Sequence, residues 1–456
     1  MQVHFIAIGG SAMHNLAIAL SKKGFQITGS DDTIFEPSKS NLKKYNLLPD
    51  SEGWDPNKIT SNIDAVILGM HARLDNPELL KAQDIGLKIY SYPEYIFEQS
   101  KTKLRIVIGG SHGKTTITSM VLHVLKHYNR VFDYLVGAQL SGFETMVKLT
   151  DEAPVIILEG DEYLASPIDR RPKFHLYHAH IAVISGIAWD HVNVFPTFKS
   201  YYDQFAVFID TIENGGTVIY CEADANVVNL IKNSREDIVK KGYSLLENKV
   251  IDGVTEIITS TGGVPIKVFG DHNIYNLNAA KLVCEEIGIS ETDFLNAIRT
   301  FNGASKRLES LGKSDNCEVF KDFAHSPSKL KATIDAVKRQ FPSRKLIAVI
   351  ELHTFSSLNK EFLSQYAGTM NNADEAIIFI DNINFLQKRL EPYDESIVKL
   401  AFDNKKVKFI NNAEILEGFL TSFNYKCKNL LLMSSGHFSG MDLNSLAKSV
   451  IKSSRF

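Results

Sequence analysis

Ile106-Val107-Ile108-Gly109-Gly110-Ser111-His112-Gly113-Lys114-Thr115-Thr116-Ile117 decides how the chain is read. The apolar triplet predicts a buried strand and the glycines a tight turn. Ile117, Met120, Val121, Val124 and Leu125 then repeat at helical spacing. Such a turn suits a phosphate. Glycines let backbone N–H groups approach its oxygens, and the helix N-terminus adds partial positive charge. Lys114 would bring a mobile ammonium to the β- and γ-phosphates of ATP, and Thr115 a hydroxyl to Mg²⁺. Gly110, Ser111, His112, Gly113, Lys114, Thr115 and Thr116 are therefore candidate ATP contacts. The G-x-x-x-x-G-K-[ST] pattern is incomplete, because Ile108 stands at its first glycine. An ordinary strand–helix turn is the bland alternative.

The same grammar occurs on either side. Val3 to Ile8 leads into Gly9-Gly10-Ser11 and a helical pattern at Met13, Leu16, Ala17 and Leu20. Leu346 to Ile350 opens a third stretch, which continues through Ala376–Ile380 to Leu430–Met433. Continuous apolar strands alternating with amphipathic helices predict mostly parallel sheets covered on both faces. At roughly 150 residues per domain, the 456 residues read as three α/β domains: 1–100, 101–303 and 304–456. The first and last are expected to be Rossmann-like and the middle one a P-loop-type ATPase domain. Thr217–Tyr220, Thr255–Ile258 and Val264–Val268 predict a small antiparallel section within the middle one.

Fifty Lys+Arg against 53 Asp+Glu give a net charge of −3, which disfavours a nucleic-acid surface but not a nucleotide pocket. A composition of 44% hydrophobic residues excludes wholesale disorder. Cys221, Cys284, Cys317 and Cys427 form no CxxC pair, which argues against a disulfide framework and a cysteine-built zinc site. No run reaches the ~20 apolar residues of a membrane helix. Met1–Ile6 has no basic segment ahead of its apolar residues. A cytoplasmic location without membrane insertion is expected. The oligomeric state stays open.

Ile156-Ile157-Leu158-Glu159-Gly160-Asp161-Glu162-Tyr163 places three carboxylates at a strand end. Mg²⁺ takes one or two such oxygens beside phosphate and water. Ala182–Ile184 leads to Asp190-His191, which could ligate or simply pack. Asn273 and Asn276 suit an adenine edge or a helix cap equally. Gly9-Gly10-Ser11, with Asp31 about twenty residues on, is a relaxed dinucleotide-type turn. A nicotinamide-dependent dehydrogenase and a turn without ligand both satisfy it. His71 and Arg73 follow the strand Ala65–Leu68.

The shortened loop at 110–116 resembles that of the Mur ligases, which build the peptide stem of peptidoglycan, and the resemblance extends over essentially the whole chain. It implies an ATP-dependent ligase whose three domains bind, in order, a UDP-sugar, ATP and an incoming amino acid or peptide. Lys114, Glu159, His191, Arg307 and His325 would be catalytic, and Thr115, Glu159 and His191 would hold Mg²⁺. Asn273, Asn276, Arg307 and Asp322 would contact ATP, and Gly9, Gly10, Ser11, Asp31, His71 and Arg73 the UDP-N-acetylmuramate. Asp322 and His325 lie in Asp322-Phe323-Ala324-His325-Ser326-Pro327, similar to the family's Asp-Tyr-Ala-His-x-Pro. Ala206 departs from members that carry a modified lysine there. Glu159–Tyr163, Asp169-Arg170-Arg171-Pro172-Lys173-Phe174, Lys306–Glu309 and Leu432–Gly440 resemble the branch that rejoins a recycled tripeptide, L-Ala-γ-D-Glu-meso-diaminopimelate. His353, in Glu351-Leu352-His353-Thr354, resembles the branch that adds free L-alanine. The tripeptide is the expected acceptor and L-alanine the alternative.

Overall fold

The computed structural model describes the chain except residues 252, 305, 306, 405 and 456. It contains four sheets. The first is wholly parallel, in the order Gln26–Ser30, Gln2–Ile6, Ala65–Leu68, Ile89–Ser91. Its strand Ala65-Val66-Ile67-Leu68 has no solvent exposure, as expected of a parallel sheet with helices on its faces.

The second sheet carries the phosphate-loop motif. Its order is Val239–Tyr243, Thr217–Cys221, Ile181–Ile184, Leu104–Gly109, Val155–Glu159, Asp133–Leu135, Val147–Lys148, and only the last edge pair is antiparallel. Leu104–Gly109 lies between the strand ending in Glu159 and the strand leading to Ser185-Gly186. Three separate stretches of sequence thereby deliver their C-terminal ends side by side. Thr217–Cys221, expected in the antiparallel section, instead pairs in parallel with both neighbours. Val218 and Ile219 are completely buried, so this run has the continuous apolar character of a covered parallel strand.

Two buried cations hold the foot of the central strand. Lys103 Nζ meets Asp133 at 3.0 Å and donates to the carbonyls of Thr150 and Ala153. Arg105 donates to the carbonyls of Tyr177 and His178 and to Glu213 Oε1 at 2.6 Å.

The antiparallel section is a three-stranded meander, Asn248–Ile251, Val254–Thr259 and Gly262–Ile266. The last sheet runs Glu309–Ser314, Cys317–Asp322, Lys428–Met433, Lys345–Glu351, Glu375–Phe379, Lys408–Ile410, parallel except for its first strand. Alternate residues of Lys345–Glu351 feed two cores. Leu346, Ala348 and Ile350 pack with Leu330, Ile334 and Phe362, while Ile347 and Val349 pack with Leu416, Leu446 and Val450.

The chain forms two compact units that interleave in sequence. One comprises 1–187, 202–244 and 279–294, the other 188–201, 245–278 and 295–456. Within the second, Phe269 packs against Phe320 and Phe341 with ring centroids 5.7 and 6.0 Å apart, and Thr255 bonds Gln340 at 3.0 Å. No helix among the described residues is long and apolar enough to cross a membrane.

Candidate active site

In the first unit the helix Lys114–His127 starts directly after Gly113, whose φ of 80° is left-handed. Gly110 is also left-handed, at φ 122°. A Cβ there would collide with the Ser185 hydroxyl, so the loop needs glycine for space as well as conformation. Ser185 Oγ donates to the His112 carbonyl, and Ser111 N donates to Gly186 O at 2.9 Å. The neighbouring strand end thus braces the loop from behind. Ser111, Thr115 and Thr116 are buried and Lys114 nearly so.

The acids face this loop. Thr115 Oγ1 donates to Glu159 Oε1 at 2.7 Å, and Gly137 N donates to Glu159 Oε2 at 2.7 Å. A Cβ on Gly137 would lie 2.8 Å from Glu159 Oε1, so glycine there permits the close approach. Lys114 Nζ contacts Gly110 O and Glu162 Oε2, both at 2.6 Å, and Glu162 is only 1% exposed. Burial works to lower the Lys114 pKa, but Glu162, Asp161 and Glu159 outweigh it and hold it above the ordinary lysine value. Asp161 sits on Lys173 Nζ at 2.6 Å. Burial pushes the Asp161 carboxyl up, yet the lysines leave it net below its usual range. Lys114 and Asp161 are therefore both charged, each beside a partner of opposite sign. The Glu162–Lys114 pair and the role of Gly137 are not readable in the sequence, because each joins residues more than twenty positions apart.

Among the described residues no three or more His, Cys, Asp or Glu side chains gather as a metal cage. Mg²⁺ dehydrates reluctantly and is bound by one or two protein oxygens plus phosphates and water. The Thr115 hydroxyl and the Glu159 carboxylate supply such a pair.

The first sheet ends in the Gly9-Gly10-Ser11 turn. Gly9 N donates to Asp31 Oδ2 at 2.7 Å, and the helix Ser11–Lys22 follows. Burial raises the Asp31 pKa against the two backbone bonds it accepts. His71 and Arg73 are exposed, and Arg73 pairs with Asp75.

The second unit holds the remaining candidates. His191 adopts φ 54°, and its N–H donates to Asp190 Oδ1 at 2.8 Å. Asp190 Oδ2 lies 3.7 Å from Lys329 Nζ and 3.9 Å from His325 Nε2. Burial would raise the Asp190 carboxyl, but Lys329, His191 and His325 hold it at about 2. Burial and Lys329 lower the His325 ring to about 3, so it is neutral at physiological pH. Lys329 was not singled out by the sequence. It lies at i+4 from His325, and its position at a helix start offered no distinguishing signal. Arg307 lies over the Phe323 ring at 4.5 Å. Lys306 lies outside the described residues. Asp322 accepts from Leu308 N and Ala324 N, both at 2.7 Å, and so locks the start of the last sheet. Asn273 and Asn276 are buried in the helix Asp271–Glu286, and Asn273 Nδ2 donates to Phe269 O at 2.9 Å.

The last sheet has a crevice of its own. Lys345–Glu351 and Lys428–Met433 are adjacent, and the segments that follow them enter cores on opposite faces. That reversal marks where ligands bind in open α/β sheets. Glu351 Oε2 accepts from Ser434 Oγ and, at 2.9 Å, from Phe438 N, while Ser435 Oγ meets His353 Nε2 at 3.2 Å.

Against known families, residues 2–103 match the Mur ligase family, catalytic domain, 108–284 the Mur ligase middle domain, and 306–420 the Mur ligase, glutamate ligase domain. The UDP-N-acetylmuramate–L-alanine ligase of Caldicellulosiruptor bescii is 31% identical over 390 residues, 82% of either chain. The structure of a UDP-N-acetylmuramate–alanine ligase from Thermotoga maritima superposes with a TM-score of 0.71 at 20% identity, covering 99% of this chain and 98% of that one. A murein peptide ligase from Psychrobacter arcticus gives a TM-score of 0.63 at 20% identity over the same shares.

Proposed function

The chain belongs to the Mur ligase family of ATP-dependent ligases, and from that premise we propose that it forms an amide between the lactyl carboxylate of UDP-N-acetylmuramate and an amine. The observation that carries this reading is the Lys114 loop with Thr115 and Glu159 paired at 2.7 Å beside it. The carboxylate attacks the γ-phosphorus of ATP, and ADP leaves. The amine then attacks the acyl-phosphate carbonyl, and phosphate leaves. No protein nucleophile takes part. Lys114 exchanges Glu162 for phosphate oxygens, and the backbone N–H groups of the loop cradle them. Mg²⁺ on Thr115 and Glu159 would neutralise phosphate charge. The Gly9–Ser11 turn and Asp31 would bind the UDP-sugar, with His71 and Arg73 at its rim. Asn273, Asn276, Arg307 and Asp322 would serve the nucleotide, and His191 a second Mg²⁺. Asp190 fixes the His191 backbone, and neutral His325 would lie near the reacting centre. Such an ATP-consuming reaction belongs in the cytoplasm.

For the acceptor, the names of the relatives support free L-alanine, and His353 in the crevice of the last sheet agrees with it. The recycled tripeptide, the preference of the sequence reading, is the second reading. A specific feature favours it. Leu164 bridges Pro172, Ala165 N donates to Arg171 O at 2.9 Å, and Arg171 is tied to Asp169 and Glu94. This stapled loop leaves Glu162-Tyr163 and returns at Lys173, and it presents the exposed Arg170, a suitable partner for a peptide bearing several carboxylates. The test is phosphate release from ATP and UDP-N-acetylmuramate with either acceptor. Release must require all three components. Turnover with L-alanine alone supports the first reading and turnover with the tripeptide alone the second. Release without an amine overturns both.

A further inference from the structure

Asn15 joins the substrate turn to the metal carboxylate. It is 3% exposed, on the first helix just after Gly9-Gly10-Ser11. Its Nδ2 donates to Ser11 O at 2.9 Å, and its Oδ1 accepts from Met146 N at 2.8 Å. Met146 lies at the edge of the seven-stranded sheet, and its carbonyl accepts from Val136 N at 3.0 Å. The next residue is Gly137, whose N–H holds Glu159 Oε2, while Glu159 Oε1 holds Thr115. Hydrogen bonds and one peptide link therefore run unbroken from the first turn of the substrate helix to the proposed Mg²⁺ pair. A buried imidazole beside Asn15 stiffens the start of this route. His14 Nδ1 lies 3.0 Å from both Gly10 O and Ser38 Oγ, and its Nε2 lies 2.9 Å from Asn15 Nδ2. Around the route, Ser11 Oγ lies 3.7 Å from Met146 Sδ, Lys22 and Lys44 pair with Glu144 at 2.7 and 3.6 Å, Tyr45 donates to Glu144, and Lys23 pairs with Asp151 at 2.8 Å.

We propose that Asn15 is a positioning residue that couples the two nucleotide sites, so that a UDP-sugar on the Gly9–Ser11 turn tightens MgATP binding at Glu159 and Thr115. This rests on the function proposed above. A diphosphate that draws the N–H groups of the turn toward itself fixes the Ser11 peptide and with it the Asn15 amide. Buried and fully bonded, that amide cannot move without carrying the 146 edge, since an unmet bond there is costly. Gly137 and the Glu159 carboxylate are thereby settled in the orientation that Mg²⁺ requires.

The experiment is calorimetric titration of the full chain with a non-hydrolysable ATP analogue and Mg²⁺, with and without saturating UDP-N-acetylmuramate. The wild type should bind the analogue more tightly with the sugar nucleotide present, within the usual coupling range of about 5- to 150-fold. Asn15→Ala should bring that ratio close to one, while the analogue alone binds as in the wild type. Asn15→Asp, which keeps the acceptor for Met146 N but loses the donor to Ser11 O, should give an intermediate ratio. It also covers the case in which the alanine variant misfolds. Glu144→Ala, which removes the bonds to Lys22, Lys44 and Tyr45 but leaves the Asn15 route intact, should retain the wild-type ratio. A wild-type ratio of one, an unchanged ratio in both Asn15 variants, or equal loss in Glu144→Ala overturns the coupling. Failure of the wild type to bind UDP-N-acetylmuramate at all overturns the proposed function instead, and the coupling with it.

Discussion

Lys114 is held by Glu162, the group that ATP would displace in the proposed reaction, and that sets what its removal does. Glu162 is 1% exposed and 2.6 Å from the ammonium, so Lys114→Met leaves a buried carboxylate without its cation. The variant should lose turnover by about a hundredfold or more and also lose stability, by roughly 3–5 kcal/mol. Adding Glu162→Gln should restore the melting temperature but not phosphate release. Recovery of turnover in the double variant would refute the role of Lys114. A second residue carries a pH signature. His175 is buried, its Nε2 donates to Gln204 O at 2.7 Å, and burial brings it from 6.5 to about 4. The unfolded chain binds a proton on this ring below 6.5, and the folded one only below about 4. Stability is therefore lost as pH falls through that window. His175→Gln should flatten the decline of melting temperature between pH 6.5 and 4, and an unchanged slope would contradict the assignment. At this scale the strand, glycine turn and helix around Gly110–Gly113 were legible because their residues are contiguous. Glu162, Gly137 and Asn15 were not, since their partners lie 48, 22 and 131 positions away.

Elements were legible where burial alone determines them. Ile106–Ile108 and Ile156–Leu158 are completely buried and read as strands without further help. Thr217–Cys221 was legible as a strand but not in its direction, because its parallel neighbours, 181–184 and 239–243, are set by long connections. Also hidden was what seats the central strand. Lys103, 5% exposed, faces Asp133, which is fully buried and also accepts from Thr150 N and Oγ1. A lysine before an apolar run reads as an exposed flank, yet this one neutralises a charge inside the sheet. Lys103→Met should cost about 3–5 kcal/mol by leaving Asp133 uncompensated. Lys101→Met, which breaks the exposed pair with Glu98 and the approach of Nζ to the Phe97 ring, should cost less than about 1 kcal/mol. Scanning calorimetry of both variants checks this, and equal melting temperatures would mean that Asp133 does not depend on Lys103.

At the scale of the molecule, three α/β stretches were legible in order, but their independence was not. The sequence suggests a cut at 303, just ahead of the stretch 304–456. The compact units do not respect it, since 188–201 and 245–278 belong with 295–456. The contacts say why. Trp189 packs on Phe362, Phe269 on Phe320 and Phe341, and Thr255 bonds Gln340, each pairing a residue before the cut with one after it. Aromatic pairs of this kind are worth about 0.5–1.5 kcal/mol each beyond the area they bury, and truncation would expose their apolar faces to water. A fragment of residues 1–303 should therefore bind a hydrophobic dye that the full chain does not, and proteases should attack it first within 245–278. The ATP loop would survive in such a fragment, because Lys114, Thr115, Glu159 and Glu162 all lie in the first unit, so nucleotide binding and exposure of the meander should separate. A 1–303 fragment as resistant to proteolysis as the full chain would show that the meander does not need the last sheet.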